Sequence, residues 1–269
     1  MLIAQLSDPH IFGRGELMEG RIDTATHLSM ALSTLTSFTR TPDVVLLTGD
    51  LVNDGTDDQY ENLRDVLADK LKDVVVVAGN HDDRQGLRHL FPQLDHVGSG
   101  DECIDYVVDM NVEDFAASFI ILDTTVPGEH AGSLSAEQLF WLETQIECRA
   151  ERRIVVVQHH PPFASGIGFM DDYGLHGASE EADVLQRFNN VDAVLCGHLH
   201  RPASSFFGGT IAFASPSTAA QVSPSFNGES TSYTEEPGMF SLHLWNATGL
   251  VTHAHPVGEP GRWVPAWAQ

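Results

Sequence analysis

The sequence predicts an α/β fold built around a mostly parallel sheet. Apolar runs of four to six residues recur along the chain, and a polar cluster follows each run. Segments with apolar residues at helical spacing separate several of these runs, and parallel strands need such crossover helices between them. The strands are expected at 2–6, 44–47, 74–77, 154–157 and 191–196.

The predicted helices lie between these strands. They are expected at 22–38, at 59–71, from about residue 135, and at 179–188. Asp23 is a suitable start signal for the first helix, and either Ser133 or Ser135 can cap the third.

The remaining segments show a different pattern. Segments 103–110 and 118–123 are strand-like and closely spaced, which predicts an antiparallel portion or a second sheet. Strands are also expected at 210–214 and 239–245. Between them, 215–238 is rich in Ser, Pro, Gly and Thr and predicts a long loop, either a surface excursion or a flap that covers substrate or contacts another subunit. The last residues of the sequence, with Pro256, Pro260, Trp263, Pro265 and Trp267, show no clear element.

Composition limits the partners of the protein. The chain has 269 residues, of which 14 are Lys or Arg and 38 are Asp or Glu, so its formal net charge is −24. This field repels nucleic-acid backbones and anionic membrane surfaces, so we expect neither a nucleic-acid polymer nor a membrane as partner. The three cysteines lack CxxC spacing, and the apolar start at 2–6 is too short for a signal sequence. No apolar run approaches the roughly 20 residues of a membrane span. We therefore expect a cytoplasmic protein.

Residues capable of metal binding or acid–base chemistry follow five of the predicted strands. They are Asp8 and His10, Asp50, Asn80 to Asp82, His159 and His160, and His198 and His200. Taken singly, each group has an ordinary explanation, such as a turn residue, a helix cap or a packed histidine. However, the carboxyl ends of parallel strands meet at one edge, where open α/β sheets bind their ligands. The repeated placement therefore predicts a shared site.

These residue types suit a two-metal site. Oxygen and nitrogen ligands without thiolates favour divalent ions such as Mn, Fe, Co or Zn, and a shared carboxylate holds two ions about 3.5–4 Å apart. Two such ions beside Asp8 and Asp50 leave a positive centre inside a very acidic protein. That centre attracts a phosphate group and stabilises an in-line phosphoryl transition state.

The order of the motifs resembles a known family. From residue 8 to residue 200 they are Asp-x-His, Gly-Asp, Gly-Asn-His-Asp, His-His-Pro-Pro and Gly-His-x-His. This series resembles the calcineurin-like metallophosphoesterase superfamily. The resemblance implies a four-layer sandwich of two mixed sheets flanked by helices, with a C-terminal flap. It further implies a catalytic domain at 1–214, extended by a flap and oligomer-contact segment at 215–269.

The resemblance also implies a set of metal ligands. Asp8, His10 and His200 resemble the ligands of a first ion, Asp50 a carboxylate that bridges two ions, and Asn80, His159 and His198 the ligands of a second. The implied ions are two divalent or mixed-valence metals from among Fe, Mn, Zn and Co.

Other residues have implied roles around these ligands. The resemblance implies that Asp50, Asn80 and His81 are the catalytic residues, and that His81 contacts the phosphate or assists the leaving oxygen. An outer contact is implied for Asn53. We expect His160 and Asp82 to orient ligands, because a ligating imidazole needs an acceptor for its other nitrogen.

Within the superfamily, the motifs resemble those of bacterial class III cyclic nucleotide phosphodiesterases and the similar glycerophosphodiesterases. We expect hydrolysis of a small phosphodiester by a metal-bridging hydroxide, with 3′,5′-cyclic AMP as the first candidate and glycerophosphodiesters as the alternative. A phosphomonoesterase and a non-catalytic scaffold are further alternatives, but a scaffold predicts gaps in the motif series and none is missing. A homo-oligomer, a dimer or a trimer of dimers, is also implied.

Aromatic residues in the loops suggest where a substrate base would bind. Candidates for a stacking pocket are Phe12, Phe169, Tyr173 and His176, although loop aromatics more often serve packing. The segment 166–172 is a candidate substrate loop, because it follows the Pro-Pro turn of the fourth motif.

Overall fold

A computed structural model of the chain describes residues 1–68, 74–94, 96–226, 232–258, 261, 263–265 and 267. The strands are β1 (Leu2–Leu6), β2 (Val44–Thr48), β3 (Val74–Val77), β4 (Tyr106–Val112), β5 (Phe115–Leu122), β6 (Gly132–Ser133), β7 (Arg153–Gln158), β8 (Leu175–His176), β9 (Val191–Cys196), β10 (Ala203–Phe207), β11 (Thr210–Ala214), β12 (Gln221–Val222), β13 (Tyr233–Thr234), β14 (Met239–Asn246) and β15 (Gly249–Pro256). The helices are α1 (Thr24–Ser37), α2 (Asp57–Leu67), α3 (Arg84–Leu90), α4 (Ala136–Glu147), α5 (Gly168–Asp171) and α6 (Ala178–Leu185). Among the described helices, none has the length and apolar character needed to cross a bilayer.

Two mixed sheets form the centre of the fold. The first has the order β15-β14-β1-β2-β3, in which β1, β2 and β3 run parallel and the other two strands are antiparallel to their neighbours. The second has the order β10-β11-β9-β7-β5-β4, with four parallel central strands and an antiparallel strand at each edge. The predicted parallel arrangement is confirmed, and so is the antiparallel pairing of the middle segments as β4 and β5.

The two sheets lie face to face between layers of helices. In β7, Val155 and Val157 belong to the larger core, which includes the first sheet, α1 and α2, whereas Ile154 and Val156 pack with α4 and α6. This alternation follows from the two-residue period of a strand, and all four side chains are fully buried. Strands buried on both faces have continuous apolar sequences, which is why they were detectable. The order helices, sheet, sheet, helices confirms the four-layer sandwich.

The helices begin where the sequence signals lie. Asp23 caps α1 by accepting a hydrogen bond from the first turn, and Ser135 caps α4 in a reciprocal capping box with Gln138. The predicted helix at 59–71 corresponds to α2, which begins two residues earlier. The last three residues of that prediction, 69–71, lie outside the described residues.

The carboxyl-terminal part differs from the sequence prediction in two places. No strand is predicted at 249–256, yet this segment pairs with β14 as the edge strand β15. None of its residues is fully buried, so it lacks the apolar run that marks the central strands. The long loop predicted at 215–238 is interrupted by β12 and β13, which pair with each other. Two-residue strands are too short to produce a periodic pattern.

Candidate metal centre

The carboxyl ends of strands from both sheets converge on one place. Asp8 and His10 follow β1, Asp50 follows β2, Asn80 follows β3, His159 follows β7, and His198 and His200 follow β9. Buried hydrogen bonds join the sheets at this edge. Gln5 Nε2 donates to Cys196 O at 2.9 Å, and the backbone N of His198 donates to the Asp8 carboxylate at 3.0 Å. All seven predicted ligands are thus brought together.

Glycines allow the strand ends to approach this closely. At Gly197, in the Gly-His-x-His motif, a Cβ would lie 2.1 Å from Ser7 Oγ and 2.7 Å from Thr48 O. At Gly49, in the Gly-Asp motif, φ is +90° and a Cβ would lie 2.3 Å from His159 Nδ1. Side-chain carbons do not pack at such distances, so these motif glycines are required by the close contact of the two sheets.

One buried group of ligand atoms lies where β1, β2 and β9 end. It consists of Asp8, His10, Asp50 and His200, whose ligand atoms all lie within 4.8 Å of one another. His10 Nε2 lies 3.0 Å from His200 Nε2 and 3.5 Å from Asp50 Oδ2. His200 Nδ1 donates to Ala220 O at 2.9 Å, so its Nε2 lone pair faces Asp8 Oδ1 at 3.7 Å.

A second buried group lies beside the first and consists of His159, His160 and His198. His159 Nδ1 donates to Thr48 O at 2.8 Å, which directs its Nε2 lone pair into the site. That Nε2 lies 3.2 Å from Asn80 Oδ1 and 3.4 Å from Asp50 Oδ2. Asp50 Oδ2 therefore lies between the two groups, where the sequence predicts a shared carboxylate.

His160 differs from its neighbours because both of its ring nitrogens are engaged. Nε2 donates to His130 O at 3.0 Å, and Nδ1 accepts from Thr124 Oγ1 at 2.8 Å. Burial lowers the pKa of His160 to about 3, so the ring is neutral. An imidazole held in this way has no lone pair left for a metal ion. The geometry agrees with the prediction that His160 orients other groups.

The donor atoms fit metal ions. The Nε2 lone pairs of His159 and His200 face oxygen atoms, and such contacts are repulsive unless a proton or a cation lies between them. Only 5% of His198 is exposed, yet its Nε2 has no hydrogen-bond partner among the described residues. A donor set of imidazole, carboxylate and amide groups suits Mn, Fe, Co or Zn.

The backbone is strained at the predicted ligands. Eight non-glycine residues in the described part of the chain have positive φ, and five of them are Asp8 (50°), His10 (44°), Asp50 (50°), His198 (69°) and His200 (52°). This region of φ costs free energy for residues with a Cβ, and such strain concentrates at functional sites. The left-handed turns let the chain reverse directly after each strand.

Electrostatic interactions keep the Asp50 carboxylate ionised. Burial alone would raise the pKa of Asp50, but His159 and His10 hold it well below its usual range. Burial lowers the pKa of His159, but Asp50 outweighs this and raises it to about 9, so without a metal ion a proton lies on Nε2 between the imidazole and the Asp50 carboxylate. Burial and the charge of Asp50 raise the pKa of Asp82 to about 7. Asp82 accepts hydrogen bonds from the backbone after both β2 and β3, so it supports the loops that carry Asp50 and Asn80.

His81 lies at the edge of the site. Its backbone N donates to Asp50 Oδ1 at 2.9 Å, and its Nδ1 donates to Asn53 O at 2.6 Å. The ring packs edge-on against His10, with 4.7 Å between centroids. Asn53 therefore contributes through its carbonyl group, which fixes the His81 ring and leaves Nε2 free of that contact.

A cavity of about 340 Å³ opens over both groups. Phe12, Phe169 and Tyr173, which were candidates for a stacking pocket, line this cavity. The prediction for His176 is wrong, because this residue is exposed on β8, which pairs with β6 outside the cavity. His130 also lines the cavity and was missed. The available signal was its place in the polar loop after the predicted strand 118–123.

The segment after β11 supports the site. Ser217 Oγ donates to Asp8 O at 2.7 Å and accepts from the backbone N of Ala220 at 3.1 Å. Ser215, Ser217 and Thr218 are fully buried, so the surface excursion predicted for 215–238 is wrong here. Small hydroxyl side chains can satisfy buried backbone groups, so a polar composition did not mean exposure.

Comparison with known proteins agrees with this fold. Residues 1–202 match the family model described as calcineurin-like phosphoesterase. The chain belongs to this family of phosphoesterases, as its motifs predicted.

Individual relatives include two phosphodiesterases. The chain is 31% identical to a probable glycerophosphodiester phosphodiesterase of Arcobacter nitrofigilis, over 96% of this chain and 94% of the relative. It is 30% identical to a 3′,5′-cyclic adenosine monophosphate phosphodiesterase of Pseudomonas aeruginosa, over 83% of this chain and 78% of the relative. Among solved structures, a dimetal phosphatase from Danio rerio shares the fold, with a TM-score of 0.65, 16% identity, and coverage of 96% of this chain and 99% of that one.

Proposed function

We propose that this protein is a binuclear metal-dependent phosphodiesterase that hydrolyses a small phosphodiester, with 3′,5′-cyclic AMP as the first candidate substrate and 5′-AMP as product. The observation that carries the proposal is the position of Asp50 Oδ2 between two buried groups of ligand atoms, beneath one cavity. The proposed ligands are Asp8, His10, Asp50 and His200 for one ion, and Asp50, Asn80, His159 and His198 for the other.

In the proposed mechanism the metal ions and the side chains of the protein have different roles. The ions would polarise the phosphate and activate a water molecule for attack. Asn80 and His81 line the cavity, where they would donate hydrogen bonds to phosphoryl oxygens as negative charge increases. Asn53 O holds the Nδ1 proton of His81, so it is the second proton of a doubly protonated ring, on Nε2, that would pass to the departing 3′ oxygen and leave His81 neutral.

The lining of the cavity supports a nucleotide substrate. Phe12, Phe169 and Tyr173 offer aromatic surfaces within the same cavity as the ligand atoms. Base stacking on an aromatic side chain contributes about 1–3 kcal/mol. A glycerophosphodiester has no base, so these rings would contribute much less to its binding.

A broad-specificity glycerophosphodiesterase is the second candidate. It is favoured by the Arcobacter relative, which aligns over 96% of this chain. The two candidates share the metal chemistry and differ in what occupies the aromatic part of the cavity.

The deciding experiment compares initial rates on cyclic AMP and on glycerophosphoethanolamine with added Mn²⁺. Wild type, Phe169→Ala and a control, Phe206→Ala, would be measured side by side, since Phe206 is 75% exposed and absent from the cavity lining. We expect Phe169→Ala to raise the KM for cyclic AMP about tenfold and to leave the KM for glycerophosphoethanolamine unchanged. A preference for glycerophosphoethanolamine that is insensitive to Phe169→Ala would support the second candidate instead.

The assembly and the location of the enzyme belong to the same proposal. We propose a homo-oligomer, a dimer or a trimer of dimers, that acts in the cytoplasm, with 1–214 as catalytic domain and 215–269 as its extension. Light scattering on the purified protein would measure its molar mass, and the mass of a monomer would contradict this part of the proposal.

A further inference from the structure

The loop between β5 and β6 carries His130 to the wall of the cavity. A turn precedes it, closed by a hydrogen bond from Glu129 N to Val126 O at 3.0 Å. His160 holds this loop, because its Nε2 donates to His130 O at 3.0 Å. The first residue of β6, directly after this loop, also packs closely on the His160 ring, since a Cβ at Gly132 would lie 2.5 Å from it. The backbone of His130 is thus anchored to a buried side chain, although His130 itself is exposed.

Nδ1 of His130 faces the side-chain amide of Asn80. Asn80 Nδ2 lies 3.4 Å from His130 Nδ1, and Asn80 Oδ1 lies 3.2 Å from His159 Nε2. If the amide were turned around, its NH₂ group would face the ligand atoms and the oxygen would face His130. An acceptor at His130 Nδ1 therefore favours the orientation that directs the Asn80 oxygen toward the second group of ligand atoms.

The same contact determines where His130 carries its proton. With Asn80 Nδ2 as the donor in this contact, His130 Nδ1 is the acceptor and a neutral His130 ring carries its proton at Nε2. This Nε2 has no hydrogen-bond partner in the part of the chain that the structure describes. The ring packs near His81 and Tyr173, with centroid distances of 5.8 Å and 5.2 Å, and all three line the cavity. The Nε2–H group is a donor without a protein acceptor, next to the residue proposed to contact phosphate.

We infer that His130 is a positioning residue for Asn80 through Nδ1, and that it binds a phosphoryl oxygen of the substrate through Nε2–H. The second role rests on the proposed function. The positioning role concerns only how tightly the second group of ligand atoms binds a metal ion, so it is independent of the substrate.

Three substitutions separate the two roles. His130→Ala removes both nitrogens, His130→Asn keeps a polar acceptor near the Nδ1 position, and His130→Gln keeps an amide donor near the Nε2 position. The matched control is His176→Ala, which removes another exposed histidine outside the cavity. Because both histidines are exposed, we expect all four variants to have the wild-type melting temperature.

The positioning role is measured by titrating chelator-treated protein with Mn²⁺ in a calorimeter. We expect Mn²⁺ to bind in two steps. His130→Ala and His130→Gln should lower the Mn²⁺ affinity of the weaker step about tenfold, as substitutions of other groups that orient a metal ligand do. His130→Asn and His176→Ala should keep the wild-type affinity. Wild-type Mn²⁺ affinity in His130→Ala, or a loss that His130→Asn does not restore, would overturn this role.

The binding role is measured with inorganic phosphate on protein saturated with Mn²⁺. We expect His130→Ala and His130→Asn to weaken phosphate binding about tenfold, because each loses one hydrogen bond to a charged oxygen, whereas His130→Gln retains it. Wild-type phosphate affinity in His130→Ala would overturn this role. If neither diester is hydrolysed but the Mn²⁺ results are as expected, the proposed function fails and the positioning role stands.

Discussion

Glu181 in α6 is a fully buried carboxyl group that lacks a charged partner among the described residues. Its Oε2 accepts a hydrogen bond from Gln158 Nε2 at 3.4 Å, and its Oε1 has no partner in the same described part of the chain. Burial raises the pKa of Glu181 from 4.5 to about 8. The folded protein therefore favours the protonated carboxyl at neutral pH.

This shift makes stability depend on pH. In the unfolded chain Glu181 ionises near pH 4.5, whereas in the folded protein it ionises near pH 8. Between these values the folded state binds more protons, so the free energy of unfolding falls as the pH rises. One pKa unit corresponds to about 1.4 kcal/mol, so the loss reaches about 3 kcal/mol at pH 7 and levels off above pH 8.

Glu181→Gln removes this titration with little change of shape. We expect the variant and wild type to be equally stable near pH 4.5, and the variant to be more stable by about 3 kcal/mol at pH 7. The measurement is urea unfolding followed by circular dichroism at several pH values between 4.5 and 8, at one fixed Mn²⁺ concentration. Glu180→Gln, at the preceding exposed position, is the control: a hydrogen bond from Ser179 lowers the pKa of Glu180, so its contribution changes only at the acid end of this range, and the difference between Glu180→Gln and wild type should stay constant from pH 6 to 8. If the Glu181→Gln and wild-type curves stay parallel over this range, the reasoning is refuted.

Three further predictions concern the metal centre and the fold. Asp50→Ala removes the carboxylate between the two groups, so elemental analysis should show loss of metal and the phosphodiesterase rate should fall about a thousandfold; a variant that keeps two ions and full activity would contradict the proposed site. Gly197→Ala places a Cβ 2.1 Å from Ser7 Oγ, and urea unfolding should show a loss of about 1–3 kcal/mol. Gly261→Ala, where a Cβ meets nothing within 4 Å, should be neutral, and equal losses in both variants would refute the packing argument. Ser135→Ala removes the capping box of α4 and should cost about 1 kcal/mol in thermal unfolding, so an unchanged melting temperature would count against it.

Much of the fold was predictable because its central strands are buried on both faces. Such strands must be apolar throughout, so β2, β3, β7 and β9 stand out as continuous runs. Helix starts were predictable for a different reason, which is local: a capping side chain acts within three residues of its own position. The edge strand β15 was missed because none of its residues is fully buried.

The sequence by itself determined the chemistry of the site. Its motifs specify which carboxylate, amide and imidazole groups are present and place each one directly after a strand, where the backbone turns. Only the tertiary structure decided how these groups meet. It placed Asp50 between two histidine-containing groups, committed both nitrogens of His160 to hydrogen bonds, and brought His130 to Asn80. The physical reason is that ligand distances and hydrogen-bond directions depend on the packing of two sheets whose contacting residues lie up to about 190 positions apart in the chain. No local pattern of apolar and polar residues predicts that packing.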